Sequence, residues 1–354
     1  MTAPAKRRRR ASIADELPRT MQALVYRGAG YDGLGLARVP VPRPKAAECL
    51  VRLEAAALNH RDLWIIEAAG PERPGVVLGS DGAGRIAALG AGVRGFRLGE
   101  RVLINPSLGW PSGAEAPKSR FQILGDPRHG TFAEYIAVPA ANLALAPRHL
   151  DVAEAAALPL SGLTAFRALV SKGGVGKGSR VAIPGIGGGT ALTALLLARA
   201  LGARVFVTSS DSAKRARAIA AGARAAFDTA GPWAEAIRKA PGGRGVEVVI
   251  ESVGRASWRE SLKALAPGGR LVVYGSTSGD LVETDLVPLF LGWQSILGTT
   301  MGNAEEFRAM LRLVAAKRVR PIIDRRFPLA EAVAALRYLQ DGRQFGKVVL
   351  DIAP

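Results

Sequence analysis

The residues best placed to do chemistry form one glycine-rich run. Gly185-Ile186-Gly187-Gly188-Gly189-Thr190 follows a strand-like stretch, Arg180 to Pro184, and opens an apolar helical run, Thr190 to Leu201. In that setting Gly185 permits a tight turn, while Gly187 and Gly188 let backbone N–H groups approach a pyrophosphate. The helix N-terminus adds partial positive charge. The third glycine of a G-x-G-x-x-G spacing falls on Thr190, with Ala191 next, and residues this small still allow close helix–strand packing. The run predicts a dinucleotide site on Gly185, Gly187, Gly188, Gly189 and Thr190.

The end of the following strand decides which dinucleotide. An acid there would bond ribose hydroxyls. This chain reads Thr208-Ser209-Ser210-Asp211-Ser212-Ala213-Lys214-Arg215, with Ser209 where the acid is expected. Hydroxyls at Ser209 and Ser210, followed by the cations Lys214 and Arg215, suit a 2′-phosphate, so NADP(H) is favoured. Asp211 is the counterweight, because one residue of loop drift would make it the ribose acid of an NAD(H) site. Lys214 and Arg215 also read as the solvated face of a helix.

The surrounding elements must hold this loop. Strand-like Arg204 to Thr208, Ala225 to Asp228, Val246 to Glu251 and Arg270 to Tyr274 alternate with helical Ser212 to Ala221, Trp233 to Lys239 and Ser257 to Leu265. A last strand near Ser295 to Leu297 completes six. Strands alternating with helices predict an α/β unit with a six-stranded, doubly wound parallel sheet over 149–303. Residues 21–148 show short strands and dense glycine turns, a β-rich and barrel-like unit. The segment 304–354, with helices Ala304 to Lys317 and Leu329 to Leu339 and strand Lys347 to Leu350, is assigned to that first unit. Residues 1–20 read as a disordered basic tail, with periodic apolar structure starting at Met21, so the tail is expected to be dispensable.

Composition bounds the rest. Hydrophobic residues make up 48% of 354, enough for a sizeable core. The single cysteine, Cys49, rules out an internal disulfide framework and a cysteine-rich zinc site, and fits a reducing, cytoplasmic location. No apolar run reaches the roughly 20 residues of a membrane helix. The net charge of +18 could attract nucleic acid, but arginine is spread among Ala and Gly and no basic stretch is interleaved with aromatics. Neither a nucleic acid nor a membrane is expected as a partner.

Several further motifs are spaced along 21–354. They are Gly79-Ser80-Asp81-Gly82-Ala83-Gly84, Gly99-Glu100-Arg101-Val102, Gly130-Thr131-Phe132-Ala133-Glu134-Tyr135, Leu163-Thr164-Ala165, Gly268-Gly269-Arg270 and Gly346-Lys347-Val348-Val349-Leu350. With the glycine loop, they make the chain resemble the medium-chain dehydrogenase/reductase superfamily. The resemblance implies a GroES-like catalytic domain plus a Rossmann domain, with the active site between them. Its zinc-dependent alcohol dehydrogenases bind catalytic zinc through a Cys, a His beside a Glu, and a further Cys or Asp. Here those positions hold Asn59, Ser80 and a residue near Ser161, all poor zinc ligands, and the four-cysteine structural lobe has no cysteine. The chain is therefore similar to the zinc-independent quinone oxidoreductase and enoyl reductase branch, and no metal is expected.

Without zinc, hydrogen-bond donors must stabilise the charge that hydride transfer develops. Asn59 is the first candidate, through its amide; His60 and Asp62 follow. Each has a plainer reading: Asn59 as a turn residue, His60 as packing, Asp62 as the N-cap of a helix from Leu63 to Ala68. The resemblance places Ser161 and Thr164 near the nicotinamide, though either could be a cap or a back-bonded helix residue. Gly275-Ser276 ends a strand at the ligand-binding edge. Trp64, Trp110, Phe290 and Trp293 hint at an apolar substrate pocket. The expected activity is NADPH-dependent reduction of a quinone, enone or small carbonyl compound. The alternatives are an alcohol dehydrogenase or aldehyde reductase, or a non-catalytic NADPH-binding protein. The resemblance also implies a homodimer or homotetramer, with strand addition around Leu289 to Leu297.

Overall fold

A computed structural model of the chain describes residues 17–68, 70, 75–117, 120–240 and 242–352. Most of the basic tail, residues 1–16, lies outside them. In the first half the elements are β1 (Thr20–Tyr26), β2 (Leu34–Pro40), β3 (Glu48–Ala57), α1 (His60–Ala68), β4 (Val76–Val77), β5 (Asp81–Leu89), β6 (Arg101–Ile104), β7 (Ser107–Leu108), β8 (Gln122–Leu124), β9 (Pro127–Arg128), β10 (Tyr135–Pro139) and β11 (Leu143–Leu145). The second half holds α2 (Val152–Ala156), α3 (Pro159–Phe166), β12 (Arg180–Ile183), α4 (Gly189–Ala200), β13 (Arg204–Thr208), α5 (Ser212–Ala220), β14 (Ala225–Phe227), α6 (Trp233–Lys239), β15 (Val246–Glu251), α7 (Trp258–Ala264), β16 (Leu265–Val273), α8 (Leu286–Leu291) and β17 (Ser295–Gly298). It closes with α9 (Ala304–Lys317), β18 (Ile323–Pro328), α10 (Ala332–Gln340) and β19 (Lys347–Asp351).

The second unit is a parallel sheet in the order β14-β13-β12-β15-β16-β17. The order in which successive strands are added reverses between β12 and β15, which opens a crevice at their carboxyl ends. The fold is thus α/β, a GroES-like β-rich unit beside a six-stranded Rossmann sheet.

In the first unit the main path runs β11-β6-β5-β3-β19-β18, with β10 also pairing β3. β3 lies between β5 and β19 and is antiparallel to both, with Ala57 opposite Asp81 on one side and Val349 on the other. Antiparallel neighbours bring the end of one strand to the start of the next. The last residue of β3, the first of β5 and the start of β19 therefore meet at one corner.

Segment 304–354 divides. β18 and β19 complete the first sheet and α10 packs on them. α9 instead packs on α3 and α4, because Phe307, Met310, Leu311 and Val314 face the Rossmann core rather than the barrel. The two units share that core: Ala55, Ala57 and Ala83 of the first sheet cluster with Val181, Ile183, Leu192 and Val207. Alanines at these strand positions let α2 pack closely on β3 and β5.

Candidate active site

The glycine loop has the geometry that a dinucleotide needs. Gly185 and Gly187 adopt φ of 69° and 144°, conformations that favour glycine. α4 opens at Gly189, its N-cap Gly188 offers no side chain to the first-turn N–H groups, and open space lies where a Cβ would sit on Gly188. These free donors fit a phosphate. Gly187 O accepts from Gly346 N–H at 3.0 Å, which keys the loop to the start of β19.

The loop borders a cleft of about 490 Å³ lined by residues of both units, among them Asn59, His60, Thr164, Gly188, Gly275 and Lys347. Trp64 also lines it. Gln344, another lining residue, is buried and its Oε1 has no partner among the described residues. Such an orphaned acceptor fits a bound donor such as a carboxamide N–H.

Beyond β13, Asp211 caps the next helix through one carboxylate oxygen. Its carboxylate accepts from Ala213 and Lys214 N–H at 2.7 and 3.1 Å as the N-cap of α5. These bonds hold its pKa below the ordinary carboxylate range. Ser209 Oγ accepts from Asp211 N–H at 3.2 Å, and Ser210 is exposed beside it. Lys214 Nζ donates to Gly342 O at 2.6 Å and lies close over Gly187. Arg215 donates to Ser209 O at 2.6 Å and pairs with Asp228 at 3.1 Å.

At the corner of β3, β5 and β19 the outcome differs from expectation. Both amide protons of Asn59 are spent inside the protein, on Asp81 Oδ2 at 2.9 Å and Ala57 O at 3.4 Å. Its Oδ1 accepts from Lys347 Nζ at 2.7 Å. A lysine only donates, so Lys347 itself fixes which end of the amide faces it. Lys347 Nζ also donates to Asp81 Oδ2 at 2.9 Å, and Asp81 Oδ1 accepts from Leu160 N–H at 2.6 Å. Asn59 is thus a holder of an ammonium, rather than the donor to substrate that its position suggested.

Asp62 is not an N-cap. α1 opens at His60, so Asp62 lies inside its first turn and reaches back to accept from Asn59 N–H at 2.8 Å. Its carboxyl is fully buried and Oδ1 has no partner among the described residues. Burial pushes its pKa up to about 7, opposed by the Asn59 hydrogen bond and by the charges of Arg61 and Lys347. His60 is exposed at the cleft edge, its ring edge-on to Trp64 at 5.3 Å.

Ser161 is fully buried and donates back to Ala157 O at 2.8 Å, so its hydroxyl satisfies the junction between α2 and α3. Thr164, one turn on, does line it. Ser276 packs beside Gly254 next to the lining residues Gly275 and Thr277. Phe290 and Trp293 do not line the cleft; they are 61% and 77% exposed on α8 and the turn after it. Trp110 is buried with Leu160 and Met301.

A zinc ion does not fit the residues present. Ser80 Oγ donates to Leu124 O at 2.8 Å, Ser161 and Asn59 are committed as described, and Cys49 is buried within β3. Among the described residues no three His, Cys, Asp or Glu side chains gather as a metal set. The segment that would carry a structural zinc lobe is fastened otherwise: Arg167 donates to Glu115 O and stacks over Trp110, and Lys172 pairs with Glu115 at 2.6 Å.

Sequence reading missed Lys347 and Asp81 as site residues, although both stand in motifs of the chain. The signal was a lysine heading the apolar strand Lys347-Val348-Val349-Leu350 and an acid heading β5. Charged residues at such positions are seldom buried without a partner.

Two family models match the chain. One, alcohol dehydrogenase GroES-like domain, covers residues 45–148; the other, zinc-binding dehydrogenase, covers 189–316. The chain is 34% identical to the zinc-type alcohol dehydrogenase-like protein YogA of Leptosphaeria maculans, over 92% of this chain and 96% of that one. A crystal structure of an NAD-dependent alcohol dehydrogenase matches with a TM-score of 0.88 at 39% identity, over 94% of this chain and all of that one. The 2-octenoyl-CoA carboxylase reductase CinF from a Streptomyces species, solved with NADP and 2-octenoyl-CoA, matches with a TM-score of 0.87 at 28% identity, over 96% and 90%.

Proposed function

The chain belongs to the medium-chain dehydrogenase/reductase superfamily, and on that premise we propose that it transfers hydride from NADPH to a quinone, enone or other small carbonyl compound without catalytic zinc. The carrying observation is the corner where zinc would sit: Asn59, Ser80 and Ser161 have their side chains committed to protein groups, and the buried ammonium of Lys347 stands against Asn59.

NADPH, when bound, supplies hydride to an electron-poor carbon. The protein's part is to hold and orient. Backbone N–H groups of Gly187 to Thr190 would take the pyrophosphate, and Thr164, Gly275 and Ser276 would border the nicotinamide. Ser209, Ser210, Lys214 and Arg215 would surround the adenosine ribose. Capping α5 engages only Oδ1 of Asp211, so the 2′-phosphate of NADP(H) is favoured by the hydroxyls of Ser209 and Ser210 and the neighbouring cations Lys214 and Arg215. Asp62 braces the Asn59 backbone, and His60 stands at the cleft edge where it can meet a substrate or a proton-carrying water.

A second reading, an NAD(H)-dependent alcohol dehydrogenase, is favoured by the likeness to the NAD-dependent alcohol dehydrogenase at 39% identity. Oxidation of NADPH and NADH by purified protein with 1,4-benzoquinone, phenanthrenequinone and simple enones separates the two. Turnover preferring NADPH supports the proposal; no acceptor reduction with NADPH, with turnover confined to NADH or to alcohol oxidation by NAD+, supports the second reading.

The exposed apolar side chains Leu286, Phe290, Leu291 and Trp293 lie on α8 and the turn that leads into β17, the sheet's edge strand. Such an edge favours pairing with a second copy, so a homodimer built there is part of the proposal.

A further inference from the structure

We propose that the Lys347 ammonium, clamped by Asn59 and Asp81, is itself the cation that receives the substrate's oxygen, in the place a metal would take. This rests on the hydride-transfer reading above and names the chemistry of the acceptor: a compound whose reduction puts negative charge on an oxygen.

An ammonium has three N–H donors and no acceptor. Two are given to Asn59 Oδ1 at 2.7 Å and Asp81 Oδ2 at 2.9 Å. No third acceptor for Nζ is found among the described residues, yet Lys347 lines the cleft while only 3% of its side chain is exposed. One donor therefore remains for a molecule entering the cleft, in a site nearly closed to water. There a donor aimed at developing charge is worth most.

The clamp is rigid on every side. Asp81 is satisfied on both oxygens, by Leu160 N–H on one and by Asn59 and Lys347 on the other. Asn59 is braced in turn by Asp62. The lysine stem lies against the cofactor loop, since a Cβ on Gly189 would come within 2.4 Å of Lys347 Cδ. The ammonium thus sits between the loop that would hold the dinucleotide and the Asn59–His60 side of the cleft.

The step balances. Hydride, with its electron pair, forms a C–H bond at the electrophilic carbon, and the displaced π pair moves to the oxygen. Lys347 Nζ–H hydrogen-bonds that oxygen as it becomes alkoxide or enolate and passes it a proton, giving alcohol or enol. The neutral amine then regains a proton from water. The substrate gains two electrons and two hydrogens, and the dinucleotide is oxidised by two electrons.

Two variants test this, Lys347→Met and the double variant Asp81→Asn with Lys347→Met; the second avoids an unpaired buried carboxylate if the first fails to fold. For each, kcat, NADPH affinity by fluorescence and binding of 4-nitrophenol in the presence of NADP+ are measured. Nitrophenol bound to an oxyanion site absorbs as phenolate at a pH where it is neutral in water. The expected result is a fall in kcat of about a hundredfold or more, with NADPH affinity held and the phenolate spectrum seen with the parent protein only. Retained kcat with weakened NADPH binding would overturn the proposal and assign Lys347 to the cofactor's phosphates. If the parent protein reduces no acceptor, the hydride-transfer reading fails, and the nitrophenolate titration alone still decides whether Lys347 makes an oxyanion site.

Discussion

Lys347 Nζ lies 2.9 Å from Asp81 Oδ2, with 3% of one side chain and none of the other exposed. An ion pair so far from water costs much desolvation and persists because both Asp81 oxygens and two of the three ammonium donors are paired, through Asn59 and Leu160 N–H as well as with each other. Removing one member alone strands a buried charge. Asp81→Ala is expected to lower stability by about 3–5 kcal/mol, read by chemical denaturation. The double variant Asp81→Asn, Lys347→Met is expected to regain a large part of that loss; equal losses in both would show that the charge pairing is not what the fold depends on.

Asp62 gives stability a pH dependence. Its carboxyl titrates near 7 in the folded protein against an ordinary 3.8. Between those values the unfolded chain has lost the proton that the folded chain keeps, so stability falls as pH rises through this window and the loss is complete above about 7. The gap corresponds to about 4 kcal/mol. Asp62→Asn, which cannot ionise, is expected to flatten the fall of Tm between pH 5 and pH 8, a window chosen around the shifted value. An unchanged slope would contradict the burial argument.

Gly187 at φ 144° lies with Lys214 Cδ 3.1 Å from where its Cβ would be. Gly187→Ala is expected to weaken NADPH binding by about tenfold or more, from backbone strain of about 1–3 kcal/mol and the displaced lysine. Fluorescence titration reads it, with Gly188→Ala as the milder companion because open space surrounds that position.

Lys214 and Asp211 separate cofactor choice from helix capping. Lys214→Ala is expected to lower the NADPH over NADH preference in kcat/KM. Asp211→Ala loses the cap on α5 and is expected to lower Tm without shifting that preference. The reverse pattern would make Asp211 the ribose acid.

Trp293 is 77% exposed on the turn between α8 and the edge strand β17. Trp293→Asp is expected to shift the protein from dimer to monomer by light scattering while leaving the fold intact. A parent protein already monomeric would remove the dimer from the account.

Much of the fold is legible in the sequence because it rests on local signals. The strand–glycine–helix run at 180–200 and the alternation after it are enough to specify the parallel sheet. The roles of single side chains are less legible. Asn59 is found by its position, but its amide direction depends on Lys347, some 290 residues away in sequence. Ser161 reads either as a residue near the nicotinamide or as a back-bonded one, and its hydroxyl bonds back to Ala157 O just ahead of α3. Phe290 and Trp293 read as pocket residues because aromatic character does not say whether a side chain lines a cavity or stands on the surface. The packing of α9 on α3 and α4 rests on long-range contacts that periodicity does not encode.

The most direct test of the central claim is NADPH oxidation by chelator-treated protein whose zinc content is measured in the same sample. The account predicts undiminished turnover of a quinone or enone with zinc far below one ion per chain. Activity that rises and falls in proportion to bound zinc would contradict it.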